Sequence, residues 1–180
     1  MQTRHSSECN FGNLDKMVTS VVELLRRKGL TISSAESCTG GLLSELITSV
    51  PGASEVFEIG LCTYSVKMKN KMLGVPLEII EEYGVVSCET ARAMTEGLKK
   101  VSGADVCVSV TGIAGPCGGT PDVPVGTVCY GFDICGNIFT VKDNTAETIG
   151  IENITRDNVR HAAAESIFSI VEKALMEADQ

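Results

Sequence analysis

Ser37 stands in the string Glu36-Ser37-Cys38-Thr39-Gly40-Gly41, between an apolar strand-like run and the start of a helical pattern. A hydroxyl at such a junction is exposed, and the unpaired N–H groups of the first helical turn can hold an oxyanion, so Ser37 fits a nucleophile. Ser37 or Thr39 as the cap of the following helix is the other reading, and from these residues alone the favoured one. A serine nucleophile needs a base, and both histidines are badly placed for that: His5 lies in a polar N-terminal segment and His161 inside a helical pattern. This argues against a Ser-His-Asp triad. A lysine serves instead where apolar burial or a nearby cation lowers its pKa, and Lys69 lies one helical turn beyond the strand end that carries Tyr64. Beside Lys67 and Lys71 it also reads as a solvated surface lysine, and Tyr64 as a packing residue with a wet hydroxyl.

The segment from Thr111 to Thr120, with Gly112, Ala114 and Gly115 in its first half, is rich in glycine, which lets backbone N–H groups approach a phosphate or an amide. It is neither a Walker loop nor a dinucleotide fingerprint, since no Gly-Lys-Ser/Thr follows and the Gly-x-Gly-x-x-Gly spacing is absent. A structural crossover between strands is the other reading. Arg156 and Arg160 share one face at the start of the last helical pattern, fit for a phosphate or for surface pairing with acidic neighbours. Eight cysteines contain no C-x-x-C pair, which argues against zinc or any other bound metal. Cys62, Cys107, Cys129 and Cys135 sit in or beside apolar runs and are expected as buried core thiols in a reducing compartment.

These residues need elements to position them. Apolar Leu14, Val18, Val21, Val22 and Leu25 recur at helical spacing up to Lys28, with Gly29 as the stop. A short strand over Leu30–Ala35 follows, then a helix over Leu42–Val50 ended by Pro51-Gly52. Ile59–Tyr64 reads as a strand, Lys67–Leu73 as a short helix, and Pro76 opens another helix through Glu82 as its first residue. Ser87 caps a helix whose apolar residues are Ala91, Met94, Leu98 and Val101, and Val106–Val110 is the most buried-looking strand. After the loop from Thr111 to Pro124, strands over Val125–Phe132 and Ile138–Lys142 form a hairpin across Cys135-Gly136. The chain closes on a long helix from about Thr155, with Ala163, Ile167, Ile170, Val171, Ala174 and Leu175 as its stripe. Strands alternating with helices and ending in a hairpin imply a single α/β domain from residue 14 to 180. It is a three-layer α/β/α sandwich around a mixed sheet, preceded by a tail of residues 1–13.

Composition narrows the function. A chain of 180 residues fits one core, and at 43% hydrophobic but only 4% aromatic with no Trp that core is aliphatic. A net charge of −8 without a basic face argues against nucleic acid. No apolar run reaches the roughly 18–20 residues of a membrane span, and no signal segment opens the chain, so a cytoplasmic location is expected.

The string Ala35-Glu36-Ser37-Cys38-Thr39-Gly40-Gly41 occurs with Thr63-Tyr64-Ser65, Leu73-Gly74-Val75, Gly84-Val85-Val86-Ser87, Thr111 to Pro116 and Pro124-Val125-Gly126-Thr127-Val128. Together, from about Leu14 onward, they resemble the CinA C-terminal-domain family, the nicotinamide-nucleotide amidases. The resemblance implies an α/β/α fold, homo-oligomers, and hydrolysis of nicotinamide mononucleotide to nicotinate mononucleotide and ammonia in pyridine nucleotide salvage. It requires no metal or cofactor. It places the nucleophile on Ser37, the second motif's tyrosine and lysine on Tyr64 and Lys69, and the family's second arginine on Arg160. A substrate site is expected from Glu36, Cys38, Thr39, Gly40, Gly41, Thr111, Gly112, Ala114, Gly115, Arg156 and Arg160. In the expected reaction neutral Lys69, directly or through Tyr64, takes the Ser37 proton as Oγ attacks the carboxamide. N–H groups of the Ser37–Gly41 turn then hold the oxyanion, and Arg160 holds phosphate or oxyanion charge.

The chain departs from the family pattern at Val66, where an Asn is usual, at Val123 in place of Lys, and at Ile154-Thr155 in place of Gly-Asp. A nucleotide-binding or regulatory homologue without turnover is the competing reading. Many family members carry a larger N-terminal domain, and this sequence is expected to be the stand-alone form.

Overall fold

The computed structural model describes residues 12–150 and 154–177. His5 and most of the expected tail lie outside the described residues. Helix α1 (Gly12–Lys28) begins just ahead of Leu14 and buries Leu14, Val18, Val21, Val22 and Leu25, the stripe read from the sequence. Its last turn carries Arg26, Arg27 and Lys28, cations at the negative end of the helix dipole.

Five strands form one mixed sheet in the order β2-β1-β3-β4-β5. Strands β1 (Ile32–Glu36), β2 (Phe57–Cys62) and β3 (Val106–Gly112) are parallel, while β4 (Thr127–Ile134) runs antiparallel to β3 and β5 (Asn137–Asn144) antiparallel to β4. The β4–β5 hairpin turns at Cys135 and Gly136, both with positive φ (52° and 89°), as a two-residue turn requires. Cys135 is therefore an exposed turn residue, not a core thiol.

Helix α2 (Leu42–Thr48) follows β1, a 3₁₀ turn (Ala53–Glu55) precedes β2, and α3 (Val66–Leu73), α4 (Leu77–Tyr83) and α5 (Cys88–Ser102) follow it. A short α6 (Thr145–Ile149) comes after the hairpin, and α7 (Arg156–Glu177) closes the described chain. The sequence pattern did not show the 3₁₀ turn or α6. Each is too short for a period, and α6 continues directly from β5. Pro76 precedes the first residue of α4 and does not occupy it. Val101 lies outside the apolar stripe of α5 and is exposed.

Helices α1, α2 and α7 cover one face of the sheet over the larger aliphatic core, and α5 with α3 covers the other, so the three layers are present as expected. Two glycines set how closely α5 lies. A Cβ on Gly131 of β4 would come within 2.7 Å of the Ala91 carbonyl oxygen, and one on Gly97 would collide with the carbonyl of Leu73 at the end of α3. Helix α5 thus touches both the sheet and the last turn of α3.

Candidate active site

Strand β1 has neighbours β2 and β3 on opposite sides, so the chain reverses direction at its carboxyl end. That is where open α/β sheets leave a crevice for ligands. A cleft of about 230 Å³ opens there, lined by Ser37 and Cys38 after β1, by Thr111 through Gly115 with Cys117 and Gly118 at and after β3, and by Tyr64, Val85, Val86 and Arg156. Sites that enclose a drug-sized ligand usually measure about 300–1,000 Å³, so this one is too small to enclose such a ligand whole.

Every residue of β1 is buried, including Ser33, Ser34 and Glu36. A buried carboxylate needs donors, and Glu36 finds them at the start of α2. Its Oε2 accepts from the N–H groups of Gly41 (2.9 Å) and Leu43 (3.1 Å), and its Oε1 from the Ser44 N–H (3.0 Å) and hydroxyl (2.8 Å). Glu36 is thus the cap of α2 and does not line the cleft, contrary to the substrate contact expected of it. Neither Ser37 nor Thr39 caps that helix, because Gly41 holds the cap position at φ 100° with no side-chain bond. Gly40 and Gly41 are also absent from the lining. A Cβ on either would meet nothing within 4 Å, so the left-handed turn calls for glycine there and a ligand's approach does not.

Freed from capping, the Ser37 hydroxyl meets Lys69. Lys69 Nζ donates to Ser37 Oγ at 2.8 Å and to the Thr63 carbonyl at 2.9 Å. Ser65 starts α3 by accepting the Met68 N–H, and the first turn of that helix carries Lys69 inward, where it is fully buried while Met72 faces solvent. Burial pulls the Lys69 pKa down from 10.5 to about 8, against a smaller upward pull from Cys38 and Cys62. No arginine contributes. The Cys38 thiol at the cleft is pushed up to about 12 by burial and stays protonated. Cys62 is exposed at the end of β2, which corrects its reading as a core thiol, whereas Cys107 and Cys129 are buried as expected.

Tyr64 does not stand between Ser37 and Lys69. Its side chain is exposed, and its hydroxyl accepts from Arg156 Nη2 at 2.7 Å while Arg156 Nη1 donates to the Gly115 carbonyl at 3.1 Å. Arg156 therefore bridges the second loop and the glycine loop across the cleft. Arg160 faces elsewhere: its Nε donates to the Thr39 carbonyl at 3.0 Å and it is not part of the lining, so it braces the turn after Ser37. Within that turn the Ser37 N–H is taken by Val110, the Gly40 N–H by Ser37 and the Gly41 N–H by Glu36. Those of Cys38 and Thr39 have no carbonyl partner among the described residues and approach the Cys38 sulfur.

The structure thus gathers Ser37, Lys69, Cys38, Tyr64, Thr111, Gly112, Ala114, Gly115 and Arg156 at one cleft, and leaves Glu36, Thr39, Gly40, Gly41 and Arg160 behind it. The apolar wall of Val85, Val86 and Ile113 escaped sequence reasoning because such side chains carry no chemical signature. Thr111 builds that wall by donating its hydroxyl to the Val85 carbonyl at 2.7 Å. Among the described residues no three potential ligands gather for a metal, and no helix is long and apolar enough to cross a membrane.

The sequence profile of the CinA C-terminal domain matches residues 14–175. A putative competence-damage inducible protein of Symbiobacterium thermophilum is 46% identical over 160 residues, 87% of this chain and 37% of that protein. A CinA-like protein of Thermotoga sp. strain RQ2 is 55% identical over 116 residues, 64% of this chain and 28% of that protein. The chain spans about a third of the length of these curated relatives. Its fold matches the crystal structure of the competence/damage inducible protein CihA of Agrobacterium tumefaciens with a TM-score of 0.84 at 32% identity, covering 97% of this chain and 99% of that one. A CinA-superfamily structure from Klebsiella pneumoniae gives the same TM-score at 26% identity, covering 92% and 99%. With sequence and fold in agreement over nearly the whole chain, this protein belongs to the CinA C-terminal-domain family.

Proposed function

We propose that the protein hydrolyses the carboxamide of nicotinamide mononucleotide, with Ser37 as nucleophile and Lys69 as general base. The observation that carries the reading is the 2.8 Å contact between Ser37 Oγ and a fully buried lysine amine. Neutral Lys69 keeps one N–H on the Thr63 carbonyl and offers its lone pair to the Ser37 proton as Oγ attacks the amide carbon. The proton passes to the departing ammonia, and water then attacks the acyl-enzyme, with the same amine as base, to release nicotinate mononucleotide. The N–H groups of Cys38 and Thr39, which have no carbonyl partner among the described residues and approach the Cys38 sulfur, are the donors that would turn to the oxyanion. The small cleft takes the ring against Val85, Val86 and Ile113, and Arg156 rather than Arg160 meets the phosphate at the open side. No metal or cofactor takes part.

Val66 stands exposed in the first turn of α3, Thr155 accepts the Asn158 N–H with its hydroxyl as an Asp would, and Val123 and Ile154 lie outside the cleft lining. None of the family departures replaces Ser37 or Lys69 or lines the cleft, which favours turnover over a binding-only role. Ammonia release on incubation with nicotinamide mononucleotide tests the reading. Ser37→Ala should keep the fold and lose at least about a thousandfold in rate; near-native turnover by that variant would discard the covalent route. A cytoplasmic location and homo-oligomeric assembly belong to the same proposal. The exposed apolar residues Met72 of α3 and Leu77 and Tyr83 of α4 are the surface a second copy would cover.

A further inference from the structure

We propose that Cys88 and Cys129 form a reversible intramolecular disulfide site, placed to tie down the wall of the cleft. The register between α5 and the sheet sets the two residues over one another. Ser109 faces Gly131 across the β3–β4 pair, and above that row lies the Ala91 turn of α5, with the Ser109 hydroxyl donating to the Ala91 carbonyl at 2.7 Å. The next row toward the cleft is Thr111 facing Cys129, and the segment above it is the one the Thr111 hydroxyl holds, beginning at Val85. Cys88 is one helical turn before Ala91, and Cys129 precedes Gly131 by the two residues that keep a strand's side chains on one face. The register therefore sets Cys88 on α5 over Cys129 on β4, and Cys88 is among the groups that raise the Cys129 thiol.

A disulfide needs its Cα atoms within about 7 Å, closer than a helix usually lies over a sheet. Gly131 permits that approach, because any Cβ there would press on the Ala91 carbonyl and lift the helix. Cys88 is partly exposed and Cys129 buried, so a reagent reaches Cys88 first. Burial pushes the Cys129 thiol up to about 12, with Cys88 and Glu89 adding to the rise and Lys142, its cross-strand partner on β5, opposing it.

With a low-molecular-weight disulfide such as oxidised glutathione, the Cys88 thiolate attacks one sulfur, forming a mixed disulfide and releasing one thiol. Cys129 then gives up its proton, and its sulfur attacks the Cys88 Sγ and expels the second thiol. Two protein thiols are oxidised and one small disulfide is reduced. The bond would anchor the first turn of α5 to β4, and with it Val85 and Val86, which line the cleft. This proposal does not depend on the amidase reading.

The test treats the full-length protein with oxidised glutathione, blocks remaining thiols by alkylation, and maps peptides by mass spectrometry. The expected result is a Cys88–Cys129 linked peptide, an intact mass lower by about 2 Da for the two lost hydrogens, and reversal by dithiothreitol. Cys88→Ser and Cys129→Ser should each abolish the linked peptide. Hydrogen exchange over Val85 to Glu89 should slow at least about threefold on oxidation and recover on reduction. Two outcomes would overturn the site: a stable glutathione adduct on Cys88 with Cys129 still alkylatable, or links only between chains. Unchanged exchange in the linked protein would remove the coupling to the cleft wall.

Discussion

Lys69 meets its partners Ser37 and Thr63 as hydrogen-bond acceptors, with no carboxylate among the groups that shift it. Only a smaller upward pull from Cys38 and Cys62 opposes the burial. An ordinary lysine is about 0.04% neutral at pH 7, whereas one with a pKa near 8 is roughly 10% neutral there and half neutral at pH 8. Turnover at saturating substrate should therefore rise about tenfold per unit below pH 8 and level off above it, because the working form is the deprotonated amine. Lys69→Arg should be as inactive as Lys69→Ala, since a guanidinium keeps its proton; an active arginine variant would mean that position 69 supplies charge alone. Glu36 supports the opposite expectation from a substrate contact. Glu36→Ala strips three N–H groups of α2 and the Ser44 hydroxyl of their acceptor, and should cost about 3–5 kcal/mol in urea denaturation. A variant of unchanged stability but raised KM would return Glu36 to the ligand.

Helix α3 carries Lys69 and is short, so its placement depends on what it leans on. The Leu73 carbonyl at its end rests against Gly97 of α5. Helix propensity alone would make Gly97→Ala stabilising by about 1 kcal/mol. The collision reverses the sign, because the obstacle is backbone and cannot rotate away: the variant should lose at least about 2 kcal/mol and, by shifting α3, turnover as well. A more stable, fully active Gly97→Ala protein would refute this. Gly97 was invisible in the sequence for the same reason that the helices around it were legible. Periodicity reports which side chains are buried, and α1, α5 and α7 declared themselves through Val18, Met94 and Ile167, but a glycine in a helical pattern says nothing of what approaches it. The Ser37–Lys69 pair was readable as residue types and as a family string. That the Glu36 carboxylate turns under α2 while Tyr64 turns outward to Arg156 depends on tertiary contacts that no local pattern encodes.

In the molecule as a whole, the parallel strands β2, β1 and β3 meet the antiparallel hairpin at β3, and the cleft lies over the β1–β3 junction. One consequence is that α4 is left at the margin with no buried residue, its Leu77 and Tyr83 facing solvent next to Met72. If a second copy covers this surface, Leu77→Glu should shift the protein toward monomer in light scattering while the fold, judged by circular dichroism, stays native. An unchanged mass would place the contact elsewhere.

The bond between Tyr64 and Arg156 also gives the cleft a colour of its own. The chain has no Trp and three Tyr, so phenol emission is not drained into an indole. Tyr130 is sealed in the core with its hydroxyl toward Asp143, and Tyr83 sits out on α4, away from the cleft. Tyr64 alone touches both solvent and the guanidinium at the mouth of the cleft, so a ligand that claims Arg156 alters the surroundings of one fluorophore in three. Occupancy can thus be followed in the unlabelled protein by its ultraviolet emission, with Tyr64→Phe as the blank.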